Sequence, residues 1–84
     1  MRYYELTYKT TELTAIGYRS VYENKVTLPA INGKEAKEQA LKYLEDHHIL
    51  NNSLYAKIRL YRKSMDGYIT YTWFYDREKG GWRA

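Results

Sequence analysis

The segment from Leu54 to Asp76 constrains the fold most, because it consists of two alternating runs of residues on either side of Asp66-Gly67. Asp-Gly between two such runs is typical of a β-hairpin, since tight hairpin turns require positive φ angles that these residue types tolerate. Alternation with a period of two indicates half-buried strands. In the first strand, one side consists of Leu54, Ala56, Ile58 and Leu60, and the other side consists of Tyr55, Lys57, Arg59, Tyr61 and Lys63.

A two-residue turn at Asp66-Gly67 sets Met65 opposite Tyr68 and so fixes the register of the predicted hairpin. The pairs predicted on the apolar side are Leu60 with Trp73 and Ile58 with Tyr75. The pairs predicted on the other side are Arg59 with Phe74, Tyr61 with Thr72, Lys63 with Thr70 and Lys57 with Asp76.

The N-terminal part of the chain is also predicted to be extended. "RYYELTYK" alternates as a strand does, with an inner side of Tyr4, Leu6 and Tyr8 and an outer side of Tyr3, Glu5, Thr7 and Lys9. Residues 13–29 predict either one long bent strand or a hairpin of 13–22 with 25–29, and we favour the hairpin, which turns at Glu23-Asn24. Gly17 suggests a bulge or a close backbone approach. "REKGGWRA" indicates a second turn and a short last strand around Trp82.

The segment between these extended regions predicts a helix over residues 33–48. Asn32 is a favourable N-cap with Glu35 three residues later, and Ile31 and Ala36 have the spacing of a hydrophobic staple. Apolar residues then recur at helical spacing. Glu38 and Lys42 are placed for an i,i+4 ion pair, and Asn51 or Asn52 is the expected left-handed stop. The residues of the helical stripe are Ala36, Ala40, Tyr43, Leu44 and His47.

Together these elements predict an α+β fold for a single domain of residues 1–84: an antiparallel sheet of four to five strands with one helix packed on one face, in the order β-β-(β)-α-β-β. One helix covers only one face of a sheet. The other face is therefore expected to be uncovered and to carry the side chains that alternate away from the core.

Composition and charge indicate the kind of partner and the cellular compartment. Residues 51–84 contain seven Lys or Arg and three acidic residues, so the whole net charge of +4 falls there, which favours a polyanionic partner. The chain has no cysteine, which suits a reducing compartment. It has no signal-peptide pattern and no apolar run near the roughly 18 residues that a membrane span needs. We expect a cytoplasmic protein with no membrane partner.

The uncovered side of the sheet is the predicted binding site. Rings on a sheet stack on unpaired bases while Lys and Arg contact phosphates, so nucleic acid is the favoured partner. The candidate residues are Tyr55, Lys57, Arg59, Tyr61, Arg62, Lys63 and Phe74. Arg62 alternates to the core side and would have to reach around the sheet edge. The segment "IRLYRKSMDGYITYTWFYD" resembles the three-stranded DNA-reading sheets of some tyrosine recombinases in its hairpin pattern.

Three alternatives remain open for the same residues. The uncovered side is ordinary solvated sheet surface, or it forms a homodimer, or the chain binds a protein, as a phage-type inhibitor or adaptor of a host protein would. Eleven tyrosines favour a partner of some kind, because Tyr, Trp and Arg are enriched at interface hot spots. A protein partner could also use an exposed edge strand such as 2–9.

Catalysis and metal binding are not expected. No cysteine nucleophile, phosphate-binding glycine loop or catalytic triad pattern is present. His47 and His48 are adjacent and point about 100° apart on a helix, so they do not converge on one ion. We therefore expect a binding module that is not an enzyme and needs no cofactor.

Overall fold

A computed structural model of the chain describes residues 2–84 and contains five strands and one helix. The elements are β1 (Arg2–Thr14), β2 (Gly17–Leu28), α1 (Gly33–Asp46), β3 (Tyr55–Ser64), β4 (Ile69–Asp76) and β5 (Gly81–Arg83). All neighbouring strands are antiparallel, in the spatial order β2-β1-β3-β4-β5. The predicted α+β fold is confirmed, and the order along the chain is β-β-α-β-β-β.

The first hairpin turns earlier than predicted. Thr14 pairs with Gly17 across Ala15-Ile16, and β2 continues without a turn through Glu23 and Asn24. The hairpin favoured for residues 13–29 misplaced this turn, and the alternative of one long bent strand omitted it. Gly17 has a φ of +126°, which glycine adopts without the steric cost that Asn would incur. β1 lies between β2 and β3, so the prediction that residues 2–9 form an exposed edge is wrong.

The second hairpin has a three-residue loop rather than a two-residue turn. The Gly67 amide donates to the Ser64 carbonyl at 2.9 Å, and Gly67 takes a φ of +89°. This is the pattern of a type I turn closed by a glycine bulge. A further bulge at Thr70 compensates, so that Lys63 pairs with Ile69 instead of Thr70. The pairs confirmed in the predicted register are Arg59 with Phe74, Leu60 with Trp73 and Tyr61 with Thr72.

The helix begins where the capping signal predicts and ends two residues early. The Glu35 amide donates to Asn32 Oδ1 at 2.8 Å. At the other end His48 adopts a φ of +57°, and the Ile49 amide donates to the Leu44 carbonyl at 2.9 Å. This is a Schellman C-cap, in which His48 rather than Asn51 or Asn52 takes the left-handed position.

Two other helix predictions are also wrong. Ile31 is 83% exposed and therefore makes no hydrophobic staple. The ion pair on the helix surface joins Lys42 to Asp46 rather than to Glu38.

The core lies between α1 and one side of the sheet. Ala36, Ala40 and Leu44 are fully buried on the inner face of the helix. They form one cluster with Tyr4, Leu6, Tyr8, Leu28, Ile49, Ile58 and Leu60. Half-buried Trp73, Tyr75 and Trp82 pack against the same cluster. Within residues 2–84, α1 is the only helix, and none is long and apolar enough to cross a membrane.

Candidate binding surface

The side of the sheet opposite α1 carries the side chains that alternate away from the core. We call this surface the open face; its residues are Tyr3, Glu5, Thr7, Lys9, Glu23, Lys25, Thr27, Arg59, Tyr61, Lys63, Thr72, Phe74, Asp76 and Arg83. All five strands contribute to it. No other layer covers it within the described part of the chain.

One transverse row of the open face crosses the whole sheet. Lys25, Thr7, Arg59, Phe74 and Arg83 are successive cross-strand partners on β2, β1, β3, β4 and β5. With strands about 4.8 Å apart, the row is roughly 19 Å long. It contains three cations, one aromatic ring and no acidic residue. We call it the basic row.

Phe74 lies between two guanidinium groups of the basic row. The central guanidinium carbon of Arg59 is 5.4 Å from the centre of the Phe74 ring, and that of Arg83 is 5.7 Å away. Contacts at this distance attract a cation to the ring face. The ring therefore holds both guanidinium groups beside it, on the uncovered side of the sheet.

Lys63 is placed on the open face but is already paired. Its ammonium group donates to Glu5 Oε1 at 2.8 Å, and the two side chains are only 16% and 12% exposed. The hydrogen bond to Glu5 is the largest cause of a raised Lys63 pKa. This pair neutralises the charge of Lys63, so the lysine is not the solvated side chain that its alternation predicts.

Tyr55 lies on the opposite side from the one predicted. Lys57 has a φ of +53° and forms a bulge in β3, where the pairing with β1 shifts by one residue. An extra residue reverses the alternation beyond it. Tyr55 consequently pairs with Thr10 and packs edge-on against Tyr8, with ring centres 5.5 Å apart. Lys57 itself is exposed at the bulge.

Arg62 stays on the helix side, as its alternation predicts, and does not reach the open face. Its Nε donates to Thr70 Oγ1 at 3.0 Å, and its guanidinium lies 5.9 Å from the Tyr71 ring. The prediction that the Arg62 side chain reaches around the sheet edge to the open face is therefore wrong.

Of the predicted residues, the open face brings together Arg59, Tyr61, Lys63 and Phe74. Sequence reasoning missed Lys25 and Arg83 at the two ends of the basic row. Arg83 could have been included from the predicted last strand around Trp82, whereas Lys25 required the correct turn in the first hairpin.

The histidines form no convergent site. The His47 ring stacks on Tyr43 with centres 4.0 Å apart, and its Nδ1 lies 2.9 Å from the Tyr43 carbonyl oxygen. Residues 2–84 contain no group of three or more His, Cys, Asp or Glu side chains that could hold a metal ion.

Comparison with protein-family models, curated protein sequences and solved structures found no match to this chain.

Proposed function

We propose that the chain is a non-enzymatic module that binds single-stranded nucleic acid on its open face. The observation that carries this proposal is the placement of Phe74 between the guanidinium groups of Arg59 and Arg83. Unpaired bases stack on aromatic rings and on guanidinium planes, and the same cations attract phosphates. The basic row combines both kinds of contact and contains no acid that would repel a phosphate.

The direct test is the affinity for labelled single-stranded DNA and RNA of mixed sequence, measured by fluorescence anisotropy over a salt series. Log affinity should fall linearly with log salt concentration, with a slope of about −0.7 for each phosphate contact. Arg59→Ala and Arg83→Ala should each weaken binding and reduce the magnitude of the slope by about 0.7.

Phe74→Leu separates stacking from charge. It removes the ring but no charge, so it should weaken binding by roughly 1–3 kcal/mol and change the salt slope less than Arg59→Ala or Arg83→Ala does.

Arg62→Ala is the matched control. Arg62 lies three residues from Arg59 on the same strand but on the helix side of the sheet. It should bind as the unmodified chain does. Failure to bind at low salt, or equal losses in Arg62→Ala and Arg59→Ala, would contradict the proposal.

A further inference from the structure

The outer edge of β2 is a candidate interface that is independent of nucleic-acid binding. β2 is twelve residues long and has a strand on one side only, within the part of the chain that the structure describes. Long edge strands expose a row of unpaired amide and carbonyl groups that can pair with another strand. From Tyr18 to Tyr22 the strand also exposes large side chains, which include Tyr22 at 66% exposure.

The direction of the backbone groups on this edge follows from β1. The Thr11 amide donates to the Leu54 carbonyl at 2.6 Å, on the β3 side of the strand. Because directions alternate, the backbone groups of Tyr8 point the other way, toward its β2 partner Asn24. The backbone groups of Glu23 and Lys25 must then point outward, away from the sheet.

The sequence around Asn24 is complementary to itself in charge. If two copies pair antiparallel about a two-fold axis at Asn24, each Glu23 lies opposite Lys25 of the second copy, and the outward groups meet. An axis at Glu23 or at Lys25 would instead set identical charges opposite each other. An axis at Tyr22 would set Lys25 opposite Arg19. Opposite charges across strands stabilise pairing and like charges oppose it.

An apolar groove lies beside this edge on the helix side. Its volume is about 330 Å³, and its walls include Val26, Leu28, Pro29 and Tyr43. With the axis at Asn24, Tyr22 of one copy lies opposite Val26 of the other. Tyr22 is the cross-strand partner of Thr10, and the hydroxyl of Thr10 accepts a hydrogen bond from Nδ2 of Asn24. These three side chains therefore lie on the same side of the sheet, which is the side that contains the groove.

We propose that two copies of this chain dimerise through β2, with Asn24 at the two-fold axis. The Glu23–Lys25 pairs set the register, and Tyr22 of each copy packs beside Val26 in the groove of the other. The bulge at Val21 limits the paired segment to residues 22–26. Lys25 is shared with this interface, so the basic row contributes Arg59 and Arg83 as its independent cations.

The test is the dimer dissociation constant from sedimentation velocity of the intact chain, from micromolar to near-millimolar concentration. Glu23→Lys and Lys25→Glu should each raise it about tenfold, because two symmetry-related pairs change from attraction to repulsion. The double variant E23K/K25E should restore dimerisation. An equimolar mixture of the two single variants should form the heterodimer.

Two matched controls complete the design. Lys34→Glu makes the same charge change on α1 and should leave the dimer unchanged. Tyr22→Ser should weaken the dimer, whereas Tyr18→Ser, which removes a tyrosine of similar exposure outside residues 22–26, should not. Circular dichroism confirms that each variant is folded. A chain that stays monomeric at every concentration, or a double variant that fails to recover, would overturn the proposal.

Discussion

Replacing Lys63 by Met breaks the Glu5–Lys63 ion pair while it keeps most of the apolar stem of the lysine. The carboxylate of Glu5, whose side chain is only 12% exposed, is then left without its cationic partner. Removing one member of a buried pair costs about 3–5 kcal/mol, and exposed pairs contribute at most about 1 kcal/mol. Because this pair retains some solvent contact, we expect K63M to lower the free energy of unfolding by about 2–3 kcal/mol.

This loss is large for a chain of this size. At roughly 0.05–0.15 kcal/mol per residue, its total stability should be about 4–13 kcal/mol. A loss of about 2–3 kcal/mol should lower the melting temperature by roughly 10–20 °C. Urea titration followed by tryptophan fluorescence measures the free energy directly, since Trp73 and Trp82 both pack against the core.

Two comparisons isolate the ion pair as the cause. Arg19→Met breaks the Arg19–Glu12 pair, whose side chains are 70% and 46% exposed, and should cost less than about 1 kcal/mol. The double variant E5M/K63M leaves no unpaired charge and should recover most of the stability that K63M loses. A K63M variant that loses no more stability than Arg19→Met, or a double variant as unstable as K63M, would refute the stabilising role of the ion pair.

Three further predictions concern the core, the helix end and alkaline pH. Leu44→Ala should lower the free energy of unfolding in urea by about 2–5 kcal/mol, because Leu44 is fully buried between helix and sheet; a loss below about 1 kcal/mol would contradict the assigned core. His48→Gly should raise the melting temperature, because glycine relieves a left-handed φ that costs other residues about 1 kcal/mol, whereas His47→Gly, at a φ of −97°, should lower it. Burial, and then the hydrogen bond with Tyr43, raises the pKa of Tyr8, so the folded chain keeps a proton that the unfolded chain releases near pH 10. Stability should therefore fall as pH rises above about 10, by up to about 1.4 kcal/mol per pH unit for this proton. Tyr8→Phe should remove that part of the slope in urea titrations, and Lys63, whose raised pKa acts in the same direction, should retain its own part; an unchanged slope would argue against the assignment.

The register of the second hairpin was predictable although its turn was not. Alternation along both strands determines which residues face the core, and a slip of one residue would expose that whole set. The bulge at Thr70 offsets the additional loop residue, so the strands keep the predicted pairing from Arg62 back to Arg59, on the side away from the turn. Because the additional loop residue and the bulge cancel, the register predicted from burial is still correct.

No second bulge compensates for the one at Lys57 in the pairing of β3 with β1. For that reason Tyr55 was predicted on the wrong side of the sheet. Lysine has no preference for a positive φ, so the amino-acid sequence around Lys57 gives no sign of the bulge. The favourable side-chain contact of Tyr55 with Tyr8 and the bond from Thr11 to the Leu54 carbonyl belong to the tertiary structure. The strand order could not be predicted from local pattern for the same reason, since the interior position of β1 results from its pairing with β3, which follows the helix in the chain.

Charge along the chain and charge on the surface are different quantities in this protein. Residues 51–84 hold the whole excess of positive charge, yet several of those cations are occupied within the fold. The Arg77 guanidinium donates to the Ile49 and Asn52 carbonyls at 3.0 and 3.1 Å, Lys63 is paired with Glu5, and Arg62 lies on the helix side. Arg59 and Arg83 remain beside Phe74 on the open face.

A partner that recognised only the excess charge would be insensitive to which of these arginines is removed. A partner that stacks on the basic row must distinguish Arg59 from Arg62, although the two are close in sequence and identical in charge. Because salt slope measures the number of phosphate contacts and Phe74→Leu measures stacking, the two measurements separate these modes of binding. The position of a cation on the sheet, rather than the net charge of its segment, is therefore the quantity that the binding experiments examine.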